Sequence, residues 1–203
     1  MREINQQERI AYFGYGSLVN RATHRTDIIG YSKVTLKGWR REWLARPNNS
    51  FGNVVLLSVK RCENSEIDGL LVFDHARNQA SLDERENNYD RHIVADSSIT
   101  EHNSTISDLS ASRTKQVTSI YVATPFPQPE EHQQYRILRS YLDAVMQGYL
   151  NKFGEEGVAR FVNSTDNFDV GVYEDRNDPR YPRSVATTQK EQSLFDSLVP
   201  ASN

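Results

Sequence analysis

Two short segments carry residues whose types and spacing suit chemistry: Leu82-Asp83-Glu84-Arg85-Glu86 and the glycine-rich run Gly14-Tyr15-Gly16-Ser17-Leu18. On a helix, Leu82 and Glu86 stand four apart and share one face. If Leu82 faces a core, the Glu86 carboxylate faces it too, and desolvation there raises a carboxylate pKa. Such a group suits general acid–base work near neutral pH. Asp83 and Glu84 read as solvated. The plainer reading, a charged helix face with Arg85 screening its neighbours, stands beside the catalytic one.

The second segment places two glycines around one tyrosine, directly after the apolar run Ile10 to Phe13. Glycines there let the backbone pass close to a ligand. Consecutive exposed N–H groups form a nest for an anion or a developing oxyanion, so a carboxylate or a carbonyl oxygen would suit it. An ordinary strand-ending turn has the same composition. The spacing is neither GxxxxGK(S/T) nor GxGxxG, which sets aside the phosphate-cradling and dinucleotide loops. Ser17 lacks the GxSxG spacing of a nucleophile elbow. Cys62 has only Lys60 and Arg61 as basic neighbours in sequence, a thin case for a thiolate. His24, His75, His92, His102 and His132 show neither HxxxH nor HExxH spacing, so no metal site is expected.

These segments need elements to hold them. Residues 10–13 read as a buried strand that stops at Gly14. Residues 31–44 read as one or two strands with Gly38 as a bend or bulge. Residues 53–59 and 67–73 read as a hairpin about the turn-like Glu63-Asn64-Ser65, and 91–95 and 117–123 as further strands. A helix over 78–87, capped by Asn78, would carry Glu86. A longer one over 130–153 shows helical spacing of Tyr135, Leu138, Leu142, Val145, Tyr149 and Leu150, preceded by Pro127 and Pro129 and ended by Gly154. A weaker third helix covers 155–162. Residues 96–116, polar and rich in Ser, Thr and Asn, read as a mobile loop, and the tail from about 186 as irregular. Several short strands before a long helix point to a mixed α+β domain on a curled sheet.

Length and composition narrow the class. A chain of 203 residues fits one domain, 1–203. A formal net charge of −3, with Lys37, Arg40 and Arg41 interleaved by Trp39, offers no basic stripe, so no nucleic-acid partner is expected. No apolar run approaches a membrane span, and Met1 to Ile10 is polar, so no membrane partner is expected and the cytoplasm is the expected location. One cysteine cannot form an internal disulfide. Oligomeric state is not readable.

Taken together, the segments resemble the γ-glutamylcyclotransferase superfamily, in its ChaC-like and bacterial branches. Tyr12-Phe13-Gly14-Tyr15-Gly16-Ser17-Leu18 is similar to the family's aromatic strand and YGS loop, and Leu82 to Glu86, with Tyr89 behind, to its LDxxE segment. Gly38-Trp39-Arg40-Arg41 and Pro179-Arg180-Tyr181-Pro182-Arg183 also look like family segments. Leu18 stands where animal enzymes have Asn, and Asn88 where a glycine is usual. The resemblance implies a small mixed β-barrel flanked by helices, no metal or organic cofactor, and a small γ-glutamyl substrate cyclised to 5-oxoproline. Glu86 would be the general acid/base. Tyr15, Gly16, Ser17 and Leu18 would bind substrate, with Tyr89 beside the reacting carbonyl. A non-catalytic fold relative, binding a γ-glutamyl or other amino-acid-like ligand or a partner protein, is the competing class.

Overall fold

The apolar run that leads into the glycine loop is the middle of the sheet. The computed structural model describes residues 8–49, 52–102, 117–124 and 135–200. Strand β1 (Arg9–Gly14) pairs antiparallel with β3 (Gly52–His75) and parallel with β6 (Thr118–Ala123). Beyond β6 lies β4 (Tyr89–Val94), and beyond β3 lie β2 (Gly30–Asn49) and β5 (Ile99–Glu101), giving the order β4-β6-β1-β3-β2-β5. The short β8 (Thr165–Asp166) adds to β2. Covered on both faces, β1 buries Ala11, Tyr12 and Phe13, which explains its unbroken apolar run. The sheet curls into a half-barrel flanked by helices, the mixed α+β class expected from the sequence.

The β2–β3 pair replaces the expected hairpin inside 53–73. β3 runs straight through Glu63-Asn64-Ser65 and its partner is β2. The turn-forming residues have a physical role all the same, because pairing slips there. Lys37 faces Glu66 but Trp39 faces Arg61, so Gly38 alone stands opposite residues 62–65. Gly38 takes φ +80 with open space around its missing Cβ, so backbone conformation, not crowding, calls for glycine.

Helix α1 (Gln79–Arg85) is shorter than the expected 78–87. Asn78 gives it no side-chain cap; its amide donates to Asp74 Oδ1 at 2.7 Å instead. The long helix begins later than expected. Tyr135 to Leu138 is not helical, and β7 (Ile137–Leu138) pairs with β9 (Val172–Tyr173). Helix α2 (Arg139–Asn163) is interrupted at Gly154, whose φ 70, ψ −172 is not helical, so the expected stop there and the expected helix beyond it both occur within this element. Its Leu142, Val145, Met146 and Tyr149 are fully buried in the core against the sheet.

The expected loop over 96–116 is ordered where described. Asp96–Ser98 forms a 3-10 turn and β5 pairs with β2; residues 103–116 lie outside the described residues. The expected irregular tail contains α3 (Gln189–Leu198), capped reciprocally by Thr188 and Glu191, with Phe195 fully buried. Among the described residues no helix is long and apolar enough to cross a membrane.

Candidate active site

The glycine loop is held by its carbonyls. As β1 ends, the Tyr15 carbonyl accepts from Arg41 Nε at 3.2 Å and from the Tyr149 hydroxyl at 2.9 Å. Arg41 is wholly buried. It also bonds Ser164 Oγ, the Tyr149 hydroxyl and the Asp68 carbonyl, and its guanidinium lies 5.1 Å and 5.3 Å from the ring centres of Tyr149 and Phe161. The peptide that follows is trans, so the Gly16 N–H points away from these two donors. The Ser17 carbonyl accepts from Thr23 Oγ1 at 2.7 Å, and His24 Nε2 donates to the Leu18 carbonyl at 2.9 Å. Burial pushes the His24 pKa down to about 4, so the ring is neutral and this hydrogen bond persists near neutrality.

Helix α2 grips the far end of the loop. Asn20 Nδ2 donates to the Ala144 carbonyl at 2.9 Å, and a Cβ on Gly148 would come within 2.8 Å of the Asn20 nitrogen. Carbonyls thus anchor the loop on one side, while the turn Ser17–Val19 opens at Gly16 without a side-chain cap.

Glu86 reaches the same place from the other side of the sheet order. It is the C-cap of α1, where its N–H bonds the Leu82 carbonyl at 3.0 Å. Leu82 is buried, and Glu86 follows it inward as the four-residue spacing implied. Its carbonyl accepts from the Tyr89 N–H at 2.8 Å, turning the chain into β4. The carboxylate is 14% exposed and takes one partner: Arg85 Nε donates to Oε1 at 2.9 Å. Oε2 has no partner among the described residues. Burial raises the Glu86 pKa, against the opposing pull of the Arg85 and Arg183 guanidiniums.

Tyr15, Gly16, Ser17, Leu18, Glu86 and Tyr89 line one narrow cavity of about 30 Å³, together with Phe13, Leu57, Tyr121 and Tyr141. It opens beside a wider chamber of about 320 Å³ that shares Ser17, Glu86, Tyr89 and Tyr141. A third cavity, about 540 Å³, shares Arg85, Asn87 and Arg183 with that chamber. Four tyrosines line this cavity, and burial pushes the phenols of Tyr15, Tyr89 and Tyr141 well above the ordinary tyrosine value and raises that of Tyr121 as well. They are neutral hydrogen-bonding groups, not bases.

The Tyr89 hydroxyl donates to the Leu57 carbonyl at 3.0 Å, so the hydrogen expected to face a substrate is engaged. The Tyr15 hydroxyl is engaged likewise, on the Tyr121 carbonyl at 2.6 Å. The Tyr141 hydroxyl has no hydrogen-bond partner among the described residues. Its ring is held edge-on between Trp43 at 5.9 Å and Tyr181 at 5.0 Å. A Cβ on Gly16 would sit 3.0 Å from the Tyr141 hydroxyl, so glycine allows that close approach. Tyr141 was not singled out from the sequence, although Tyr141, Val145 and Gly148 follow helical spacing and mark the α2 face turned to the loop. Arg85 was read only as a screening charge. It holds Glu86, Ser17 Oγ at 3.2 Å and the Thr23 carbonyl at 2.9 Å, tying the two segments together.

No protein-family model and no curated protein matches the chain. Solved structures do. A structure described as gamma-glutamyl cyclotransferase superposes with a TM-score of 0.55 at 12% identity, over 94% of this chain and 99% of that one. The uncharacterized protein loc79017 from Homo sapiens gives 0.55 at 13% identity, over 93% and 99%. YkqA from Bacillus subtilis gives 0.50 at 14% identity, over 74% of this chain and 51% of that one. At such identities what is shared is the fold: this chain has the fold of a gamma-glutamyl cyclotransferase.

Proposed function

We propose that the chain is a γ-glutamylcyclotransferase-type enzyme, converting an N-terminal γ-glutamyl group to 5-oxoproline with release of the attached amine or amino acid. The observation that carries the reading is the half-satisfied carboxylate of Glu86, buried in one cavity with the glycine loop. The α-amino nitrogen attacks the γ-carbonyl carbon of the same residue. A C–N bond forms, the carbonyl oxygen becomes an oxyanion, and the original amide C–N bond then breaks. Ring closure is intramolecular, so holding a near-attack conformer removes much of the barrier. Glu86 takes a proton from the α-ammonium and gives it to the leaving nitrogen. The ring nitrogen then sheds its second proton through the same carboxylate to the released amine, which departs as an ammonium, so the reaction balances without water.

The remaining groups position and stabilise. Arg85 leaves Oε2 open while fixing Oε1. The amide of Gly16, directed by the anchored Tyr15 carbonyl, and the uncommitted Tyr141 hydroxyl are the donors for the developing oxyanion. Tyr89 contributes shape, and its hydroxyl oxygen accepts from a substrate ammonium. The decisive experiment measures 5-oxoproline release by the purified chain from glutathione, γ-glutamyl-alanine and γ-glutamyl-lysine. Release from at least one, lost in Glu86→Gln, is the expected result. Saturable binding without product would favour a non-catalytic fold relative and overturn the reading.

A further inference from the structure

The segment around Pro179 to Arg183 forms a wall of the wider chamber through Tyr181, Pro182 and Arg183. It is fixed from behind. The Asp175 carboxylate accepts from the Ser140 N–H at 2.7 Å, the Ser140 hydroxyl at 2.6 Å and the Arg180 N–H at 2.9 Å. The Tyr181 N–H donates to Ser140 Oγ at 3.2 Å. A wall built so firmly sets the direction of what it carries. Arg183 Nε donates to the Tyr181 hydroxyl at 3.2 Å, and its guanidinium carbon lies 5.5 Å from that ring centre. Its two Nη groups have no partner among the described residues.

The charges in the chamber do not balance. Its lining holds two guanidiniums, Arg85 and Arg183, and one carboxylate, Glu86. Arg85 is committed to Glu86, Ser17 and Thr23. The surplus positive charge is therefore that of Arg183. A γ-glutamyl group brings one ammonium and one carboxylate of its own and leaves the surplus uncancelled. Arg183 also borders the 540 Å³ cavity, which adds Arg25 against the carboxylates of Asp74 and Glu84 and has room for the remainder of a substrate.

We propose that Arg183 is a specificity-determining residue that holds a carboxylate on the leaving half, so that the substrates are γ-glutamyl amino acids or short γ-glutamyl peptides and not γ-glutamyl amines. This rests on the cyclotransferase reading above. A guanidinium with free Nη groups is the side chain suited to bidentate carboxylate recognition. A γ-glutamyl amine offers it nothing, and one derived from a diamine brings a like charge.

The test compares kcat/KM for γ-glutamyl-alanine, γ-glutamyl-alaninamide, and γ-glutamyl-alanine amidated on the glutamyl carboxylate instead. A charge-assisted contact predicts roughly a tenfold to hundredfold preference for γ-glutamyl-alanine over its alaninamide. Arg183→Gln should bring that ratio near one, and Arg183→Lys should keep part of it. An unchanged ratio in Arg183→Gln overturns the proposal, as does a loss that follows the glutamyl carboxylate. Calorimetric titration of the first two ligands into Glu86→Gln, with and without Arg183→Gln, reads the same preference without turnover. Carboxylate-dependent affinity with no 5-oxoproline from the wild-type chain upholds Arg183 and removes the cyclotransferase reading. Product formation without carboxylate preference does the reverse.

Discussion

Glu86 and Asp143 are both carboxylates buried against an arginine, and they are treated differently. Asp143 on α2 receives Arg176 at both oxygens, Nε to Oδ2 at 2.7 Å and Nη2 to Oδ1 at 3.1 Å. Arg176 also grips Asp196 of α3 at 3.0 and 2.8 Å. Glu86 receives Arg85 at one oxygen only, and its other oxygen faces a cavity. Burial raises both carboxylate pKa values, and an arginine pulls both back. Desolvation therefore does not separate the two pairs; saturation does. Asp143 has each oxygen bonded and ties α3 to α2, whereas Glu86 keeps lone pairs and space. Buried pairs of either kind need not be net stabilising, but breaking one leaves an uncompensated charge.

The largest effect expected from the contrast is on turnover. Glu86→Gln keeps the shape and removes the proposed base, so 5-oxoproline release should fall by roughly 10²–10⁴-fold while substrate binding survives. Asp143→Asn should leave turnover within a few-fold of wild type. Glu84→Gln should do the same, since Glu84 is exposed. Equal losses in Glu86→Gln and either of the others would erase the distinction. The next effect, on stability, runs the opposite way. Asp143→Ala strands Arg176 and loosens α3, and should cost about 3 kcal/mol in urea unfolding. Glu86→Gln should cost less, because the glutamine side-chain oxygen still accepts from Arg85 Nε. Similar midpoints for Asp143→Ala and wild type would mean that the saturated pair contributes little.

The two regions also differ in how far they could be read from sequence. The Glu86 site was legible because each part is local: Leu82 and Glu86 lie four residues apart, and the glycine loop follows its strand directly. The strand, the loop and the short helix were all placed within a few residues. What joins them is not local. Tyr141, Arg41 and Tyr149 reach the loop across more than 20 residues of chain, and only the folded sheet and α2 bring them there. The Asp143–Arg176–Asp196 network was invisible for the same reason. It depends on α3, whose cap Thr188 and Glu191 and buried Phe195 were present in a segment read as irregular. The β2–β3 ribbon was misread because Glu63-Asn64-Ser65 has turn composition, and a bulge uses the same residue types as a turn.

A smaller effect tests the Arg85 half of the contrast. The ascending limb of kcat/KM should lie above the ordinary glutamate range, as a macroscopic value shared with the substrate ammonium. The Arg85 charge holds the Glu86 pKa down against burial. Arg85→Gln should therefore move the limb to higher pH, and Arg85→Lys should move it less. A limb that stays in place in Arg85→Gln would show that the pair is not what sets the Glu86 proton affinity.

The smallest effect is on the pH dependence of stability, and its sign is fixed by the raised pKa. The folded chain keeps the Glu86 proton in a pH range where the unfolded chain, with an ordinary value of 4.5, has already lost it. The proton-linked contribution to stability is therefore fully present below the ordinary value. It declines as pH rises towards the raised value, and is constant above it. Each pH unit between the two values is worth about 1.4 kcal/mol. Glu86→Gln has no proton to lose, so the stability of wild type relative to this variant should fall across that window and then level off. Asp143, also raised, contributes a slope of the same sign. Glu86→Gln alone should flatten the curve only in part, and Glu86→Gln with Asp143→Asn should flatten it further. Urea midpoints taken from pH 4 to pH 8 check this. A wild-type chain that gains stability over Glu86→Gln as pH rises would mean that Arg85 outweighs burial at Glu86, and that this pair is an ordinary stabilising ion pair.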